Sequence, residues 1–163
     1  MKTFLEFLAE SHSAPLYHGT TVDRLESIMH QNTLEGRISE GEDDNKTKVV
    51  SLTRSLKYAL DWATTLSRSK INAVVIELDQ RKIRQRYKLQ TYNFYHTQVP
   101  FHMAKSRYLK DDPVYGMNEY EERIVNKNLT NIRSYITAFH VASPTAFERI
   151  EHFGFPVKSD LLK

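Results

Sequence analysis

The run Leu16-Tyr17-His18-Gly19-Thr20 sets an imidazole, a residue without a Cβ and a hydroxyl side by side. At the end of a strand, Gly19 would let a small molecule approach the main chain closely. His18 and Thr20 could then bond the hydroxyl or amide groups that the molecule carries. The alternative is a structural turn. A second run is Val49-Val50-Ser51-Leu52-Thr53-Arg54. Strand alternation puts Ser51 and Thr53 on one face, where two hydroxyls either line a polar cleft or meet water at a sheet edge. The third run is Asn118-Glu119-Tyr120-Glu121-Glu122-Arg123-Ile124-Val125. On a strand, Glu119, Glu121 and Arg123 share one face, and Tyr120, Glu122 and Ile124 share the other. Two carboxylates on one side are costly unless something cationic lies near them. A sugar that becomes positively charged in a transition state would supply that cation; lysines beside a solvated acidic strand would supply it equally well. Choosing Glu121 over Glu122 depends on register, since a slip of one residue exchanges the faces.

These runs need elements to hold them. Residues 16–20 read as a short strand, and Thr21 can cap a helix reaching about Gln31, with Leu25, Ile28 and Met29 at helical spacing. Residues 32–48 are polar, with Gly36, Gly41 and an acidic run, and read as a surface loop. Residues 49–53 read as the next strand. Ser55 then caps a helix whose expected buried face is Leu56, Ala59, Leu60, Ala63 and Leu66. Residues 73–78, apolar and β-branched, are the strongest strand signal. Residues 119–125 and 135–141 read as further strands, followed by a helix over residues 144–152. Two early helices among mostly strands predict an α+β fold.

A chain of 163 residues fits one domain and can bury a core without covalent staples. It has no cysteine, which excludes disulfides, thiolate metal sites and a cysteine nucleophile. Its seven histidines show no helical ligand spacing, so metal chemistry is not expected. The formal charge of +3 permits contact with nucleic acid without arguing for it. No apolar run approaches the roughly 20 residues of a membrane helix, and no membrane partner is expected.

Taken in order, the three runs resemble the ADP-ribosyltransferase superfamily between about Leu16 and Val141. His18-Gly19-Thr20 looks like the first-strand motif of its diphtheria-toxin-like and poly(ADP-ribose) polymerase branch. Ser51-Leu52-Thr53 and Glu119-Tyr120-Glu121 look like the Ser-Thr-Ser strand and Glu-x-Glu turn of its arginine-directed toxin branch. That branch would carry arginine where His18 stands. The histidine branch would carry a tyrosine near the second strand, and Tyr58, the nearest candidate, falls on the following helix. The resemblance implies a split β-sheet core with flanking helices around a cleft for NAD, which is consumed as substrate. It further implies that His18 bonds the ribose, and that Gly19, Thr20, Ser51 and Thr53 line the nicotinamide end with Tyr58 near it. Arg54 or Arg123 would hold the pyrophosphate. Glu121 would stabilise the cationic ribose, and Glu119 would position or deprotonate the acceptor.

Two further stretches bear on the target. Residues 84–108 interleave arginines and lysines with Tyr87, Tyr92, Phe94, Tyr95, Phe101 and Tyr108. Such a mixture can grip nucleic acid by phosphate contact and base stacking; the plainer reading places the aromatics in the core and the bases in water. Residues 1–10 have Phe4, Leu5, Phe7 and Leu8 on one helical face and lead into the linker-like residues 11–15. They resemble the capsid-targeting leader of internal head proteins in T-even-type tailed phages, and Leu8-Ala9-Glu10 matches the site cut during head maturation. That resemblance implies cleavage after Glu10, a domain over residues 11–163, packaging in the phage head and release into the host cytoplasm. The expected activity is ADP-ribosylation of a host macromolecule by a monomer, with a host protein or a nucleic acid as partner. The alternative from another class is a non-catalytic injected inhibitor of a host defence enzyme.

Overall fold

The structure is a computed structural model, and it describes residues 13–38, 47–92 and 121–159; the side chains of residues 91, 92 and 121 lie outside that description. The expected processing site at Glu10, residues 1–10 as a whole, Glu119 and most of residues 84–108 therefore fall outside it as well.

Strand β1 (Leu16–Thr21) runs into helix α1 (Val22–Gln31). Thr21 starts the helix as its side chain accepts from the Arg24 N–H, and Asn32 ends it in the left-handed region at φ 50°. The stretch expected to be only loop contains β2 (Thr33–Leu34) and β3 (Arg37–Ile38). Strands of two residues owe their existence to distant partners, so local pattern does not announce them. Next come β4 (Lys48–Thr53) and α2 (Leu56–Ser67), the latter capped by Ser55, whose hydroxyl accepts from the Tyr58 N–H at 3.1 Å. Strand β5 (Ala73–Leu78) is followed by α3 (Gln80–Arg84) and β6 (Gln90–Tyr92). The last elements are β7 (Glu121–Val125), β8 (Leu129–Thr130), β9 (Ile136–Val141), α4 (Pro144–Ile150) and β10 (Val157–Lys158). Tyr135, expected to open a strand, instead ends a short 3₁₀ turn.

Among the described residues the main sheet has eight strands, in the order β10-β9-β5-β1-β4-β7-β6 with β3 beside β4; β2 and β8 pair separately. Strand β1 pairs with β5 along its whole length, from Leu16↔Leu78 to Thr21↔Ala73. Between β1 and β4 there is one pair, Tyr17↔Thr53, whereas β4 and β7 are in register over five. The sheet is thus split along the β1–β4 seam, the arrangement expected from the sequence.

Helices cover both faces. Leu16, Val74, Ile76 and Leu78 join Val50, Leu52 and Ile124 in one apolar core with Val22, Leu25, Ile28 and Met29 of α1 and Ala146 and Ile150 of α4. Full burial of each of the larger aliphatic side chains contributes about 1.5–3 kcal/mol. On the opposite face α2 lies close against β1, and a Cβ at Gly19 would sit 2.0 Å from the Ala59 carbonyl oxygen. The close approach decides which face of α2 is buried. Ala59 and Ala63 are fully covered, while Leu56, Leu60 and Leu66, expected to be buried, are only partly so.

Candidate functional site

The seam leaves the Ser51 carbonyl without a ladder partner on β1, and a side chain supplies one. His18 Nδ1 lies 3.0 Å from that oxygen. A carbonyl can only accept, so Nδ1 carries the proton and donates. Burial, together with the nearby Arg37 and Arg24 guanidiniums, outweighs that bond and holds the imidazole below its usual pKa. The ring is therefore neutral at neutral pH, and Nε2 offers a lone pair to a hydroxyl donor.

Register identifies what shares a face with His18. Counting on from the Tyr17–Thr53 pair, His18 comes opposite Leu52, and Leu52 pairs with Glu122. His18 and Glu122 thus flank Leu52, two strand spacings apart, or roughly 10 Å. Glu122 is fully buried. Its Oε1 accepts from Arg54 Nη2 at 2.5 Å, and Arg84 Nη2 lies 3.8 Å from the same oxygen. Its Oε2 is buried and has no hydrogen-bond partner among the described residues. An ionised carboxylate survives burial only when it is paired. The two guanidiniums do that at one oxygen and leave the other able to accept.

The remaining expected residues divide between the faces. Thr20 is buried in the His18 row, opposite Val74. Ser51 and Thr53 lie on the other side of β4 from Val50 and Leu52, so the hydroxyls do not share a face with His18. The Thr53 hydroxyl accepts the Ser55 N–H at 3.1 Å and helps to start α2. Gly19 belongs to the α2 face, and the room left by its missing side chain is taken up by helix backbone. Tyr58 is half-buried in the first turn of α2. Position 121 pairs with Thr53 and Tyr92, and Arg123 is buried opposite Ser51. In the basic aromatic stretch, Tyr87 is structural: its hydroxyl accepts the Thr130 N–H at 3.1 Å, and its ring meets Tyr135 edge-on at 6.4 Å.

Sequence reasoning did not single out Glu122 as a paired, buried carboxylate. It also missed a polar row on the α2 face. There, Glu77 accepts from Thr137 Oγ1 at 2.9 Å, Lys158 Nζ at 2.9 Å and His140 Nε2 at 2.6 Å, with the Tyr17 ring edge-on to His140 at 5.8 Å. Burial works to raise the Glu77 carboxyl, but these bonds outweigh it and hold the group below its usual range. Burial, aided by Glu77, raises the Tyr17 phenol. Among the described residues, no group of three potential metal ligands occurs, and no helix is long and apolar enough to cross a membrane.

No protein-family model matches the chain, and no curated protein matches it. Solved structures do match. The chain is similar to Thermus sp. 2.9 DarT in complex with NAD+, with a TM-score of 0.61 and 13% identity over 91% of this chain and 96% of that one. The same protein in complex with carba-NAD+ gives a TM-score of 0.58 at 13% identity, with the same coverage. In complex with ADP-ribosylated ssDNA it gives 0.61 at 11% identity, over 91% of this chain and 95% of that one. The fold is therefore the mixed α+β, split-sheet fold of the ADP-ribosyltransferase DarT.

Proposed function

We propose that this chain breaks the glycosidic bond of NAD and transfers the ADP-ribosyl group to a nucleic acid. The observation that carries this reading is the Glu122 carboxylate: buried, clamped at Oε1 by Arg54, and with Oε2 left to accept, on the same face as a neutral His18. The NAD+ and carba-NAD+ complexes of a protein with this fold support the choice of substrate, and its complex with ADP-ribosylated ssDNA supports the class of acceptor.

In this scheme His18 Nε2 accepts from a ribose hydroxyl and orients the dinucleotide. Glu122 Oε2 accepts from a hydroxyl of the nicotinamide ribose. As the C1′–N bond breaks, nicotinamide leaves with the electron pair and positive charge builds on the sugar, which the carboxylate stabilises. An acceptor heteroatom then bonds to C1′ and gives up its proton. Glu119 keeps its proposed role of positioning or deprotonating the acceptor. The reacting carboxylate is assigned to Glu122 in preference to Glu121, because Glu122 lies in the His18 row. Thr20 lies in the His18 row, whereas Gly19, Ser51, Thr53 and Tyr58 lie on the α2 side and keep their proposed place beside NAD on the resemblance alone.

Delivery is the second part of the proposal. The sequence of residues 1–10 supports packaging in a phage head, cleavage after Glu10 and action in the host cytoplasm.

The test is incubation of the full chain with labelled NAD and either single-stranded DNA, RNA or host lysate protein. Wild-type protein is expected to label the nucleic acid, and Glu122→Gln to slow transfer about a thousandfold or more, within the range of lost electrostatic stabilisation. Label found on protein alone would move the acceptor to a host protein. Full activity in Glu122→Gln would remove Glu122 from the chemistry, and absence of label with every acceptor would favour the non-catalytic inhibitor.

A further inference from the structure

Trp62, the single tryptophan of the chain, lies on α2 and is 52% exposed. Packing does not require it there. Helix α2 seats on β1 through the covered Ala59 and Ala63, at an approach so close that a Cβ on Gly19 would meet helix backbone. Among the described residues the indole makes no hydrogen bond and no ring contact. Tryptophan is on average well covered, and it is enriched where one surface meets another.

The charges around it say what that other surface carries. From Arg54 to Asn72 the only acid is Asp61, against Arg54, Lys57, Arg68 and Lys70. Lys57, Arg68 and Lys70 are exposed on α2 and the turn that follows it, and Arg68 and Lys70 have no acidic partner among the described residues. Phe147, the other exposed aromatic ring, has the opposite setting. Glu148 and Glu151 stand one and four residues after it, and Arg149 is taken by Asp23 and Glu26.

Register relates Trp62 to the reacting carboxylate. Glu122 pairs with Leu52 near the end of β4, and Arg54, which binds Glu122, leads through the Ser55 cap into α2. Helix α2 therefore begins beside that carboxylate. Ser55 to Trp62 is 62 − 55, or seven residues, a rise of about 10 Å at 1.5 Å per residue. Trp62 stands on the α2 side of the sheet, so a bound strand reaches it past the end of β4. Tyr58 lies one turn before it on the same flank of the helix.

Resting on the reading that the acceptor is a nucleic acid, we infer that Trp62 is a stacking platform for a base of the single-stranded acceptor, next to or a few nucleotides from the base that is modified. An indole face takes any base, and the cations beside it meet the phosphates. A duplex, whose bases already stack on each other, does not engage it.

The emission of the one tryptophan reports on this surface alone. The full chain is titrated with a short single-stranded thymidine oligonucleotide, with an abasic strand of the same length and with a duplex. Only the thymidine strand is expected to quench the emission. With binding followed by a label on the strand, Trp62→Ala should bind the thymidine strand about tenfold more weakly, the scale of one stacked base. Its binding of the abasic strand and of NAD should be unchanged, and Trp62→Phe should recover most of the loss. Arg68→Gln/Lys70→Gln should weaken both strands and flatten the salt dependence. Protein that labels single strands, while its emission ignores them and Trp62→Ala binds them as tightly, would overturn the platform and leave the acceptor reading standing. Equal loss of both strands in Trp62→Ala would make the residue structural and overturn it too. So would an emission already shielded in the free chain, or one that shifts with protein concentration alone, since the chain itself or a second copy then covers the ring. Wild-type protein that neither binds nor labels single strands would overturn both readings. A tenfold effect in a protein that transfers nothing would uphold the platform and remove the transferase reading alone.

Discussion

Replacing Gly19 by alanine separates two uses of one glycine: room for a ligand, or room for a helix. A Cβ at this position would lie 2.0 Å from the Ala59 carbonyl oxygen, 2.9 Å from its carbonyl carbon and 3.1 Å from the Ala63 nitrogen. All three are backbone atoms, so no side-chain rotation relieves the overlap. Non-bonded heavy atoms settle near 3.5 Å, and α2 would have to retreat by about 1 Å or more. The φ of Gly19 is not in the left-handed region, so the cost comes from space alone. Overpacking of this kind costs about 1–3 kcal/mol and occasionally more; contact with helix backbone places Gly19→Ala at the upper end. Alanine also narrows the unfolded ensemble, which offsets about 0.4–1 kcal/mol. The repulsion wins by about 2 kcal/mol. At about 2–4 °C per kcal/mol for a chain of this size, the melting temperature should fall by about 4–8 °C. Thermal unfolding by circular dichroism reads this directly, with NAD affinity measured well below the transition. A melting temperature within a degree of wild type, together with weakened NAD binding, would refute the helix-seating account and leave contact with the ligand as the use of Gly19.

Three other outcomes follow from the geometry. His18→Asn can still donate an amide N–H to the Ser51 carbonyl but lacks the Nε2 acceptor, so it should keep its melting temperature and lose about tenfold in NAD affinity, the scale of one hydrogen bond; calorimetry checks both. The folded carboxyl of Glu77 titrates below its unfolded value, so its contribution is complete above about pH 4.3 and is lost as pH falls through the lowered value. Urea midpoints should therefore drop on the acid side, and Glu77→Gln should start lower at neutral pH and fall less. Protein taken from virions should begin at Ser11, and mass spectrometry finding an intact Met1 in the particle would end the leader proposal.

Much of this was legible before any coordinates. The apolar run at β5 and the Thr21 and Ser55 caps are local signals, and they place the elements correctly. The two-residue strands escaped notice because β2 exists through β8, almost a hundred residues away in sequence, and β3 through β4. The buried face of α2 was drawn too wide, because the sequence does not reveal that Gly19 brings the helix axis so near that alanines suffice. For the candidate site, the sequence nominated His18 by its neighbours. The preference for Glu122 proposed above rests on the pairing of Leu52 with Glu122, which the sequence does not reveal.

Most sheets of eight strands act as a single plate. This one is two plates pinned at a single rung, Tyr17–Thr53, with one imidazole stitched across just beside it. Main-chain amides facing the gap forgo the mutual shielding that the β1–β5 and β4–β7 ladders give their own members, and they should take up deuterium first. A dinucleotide laid across the gap would then act as a brace, slowing exchange in both plates well beyond the few residues it touches.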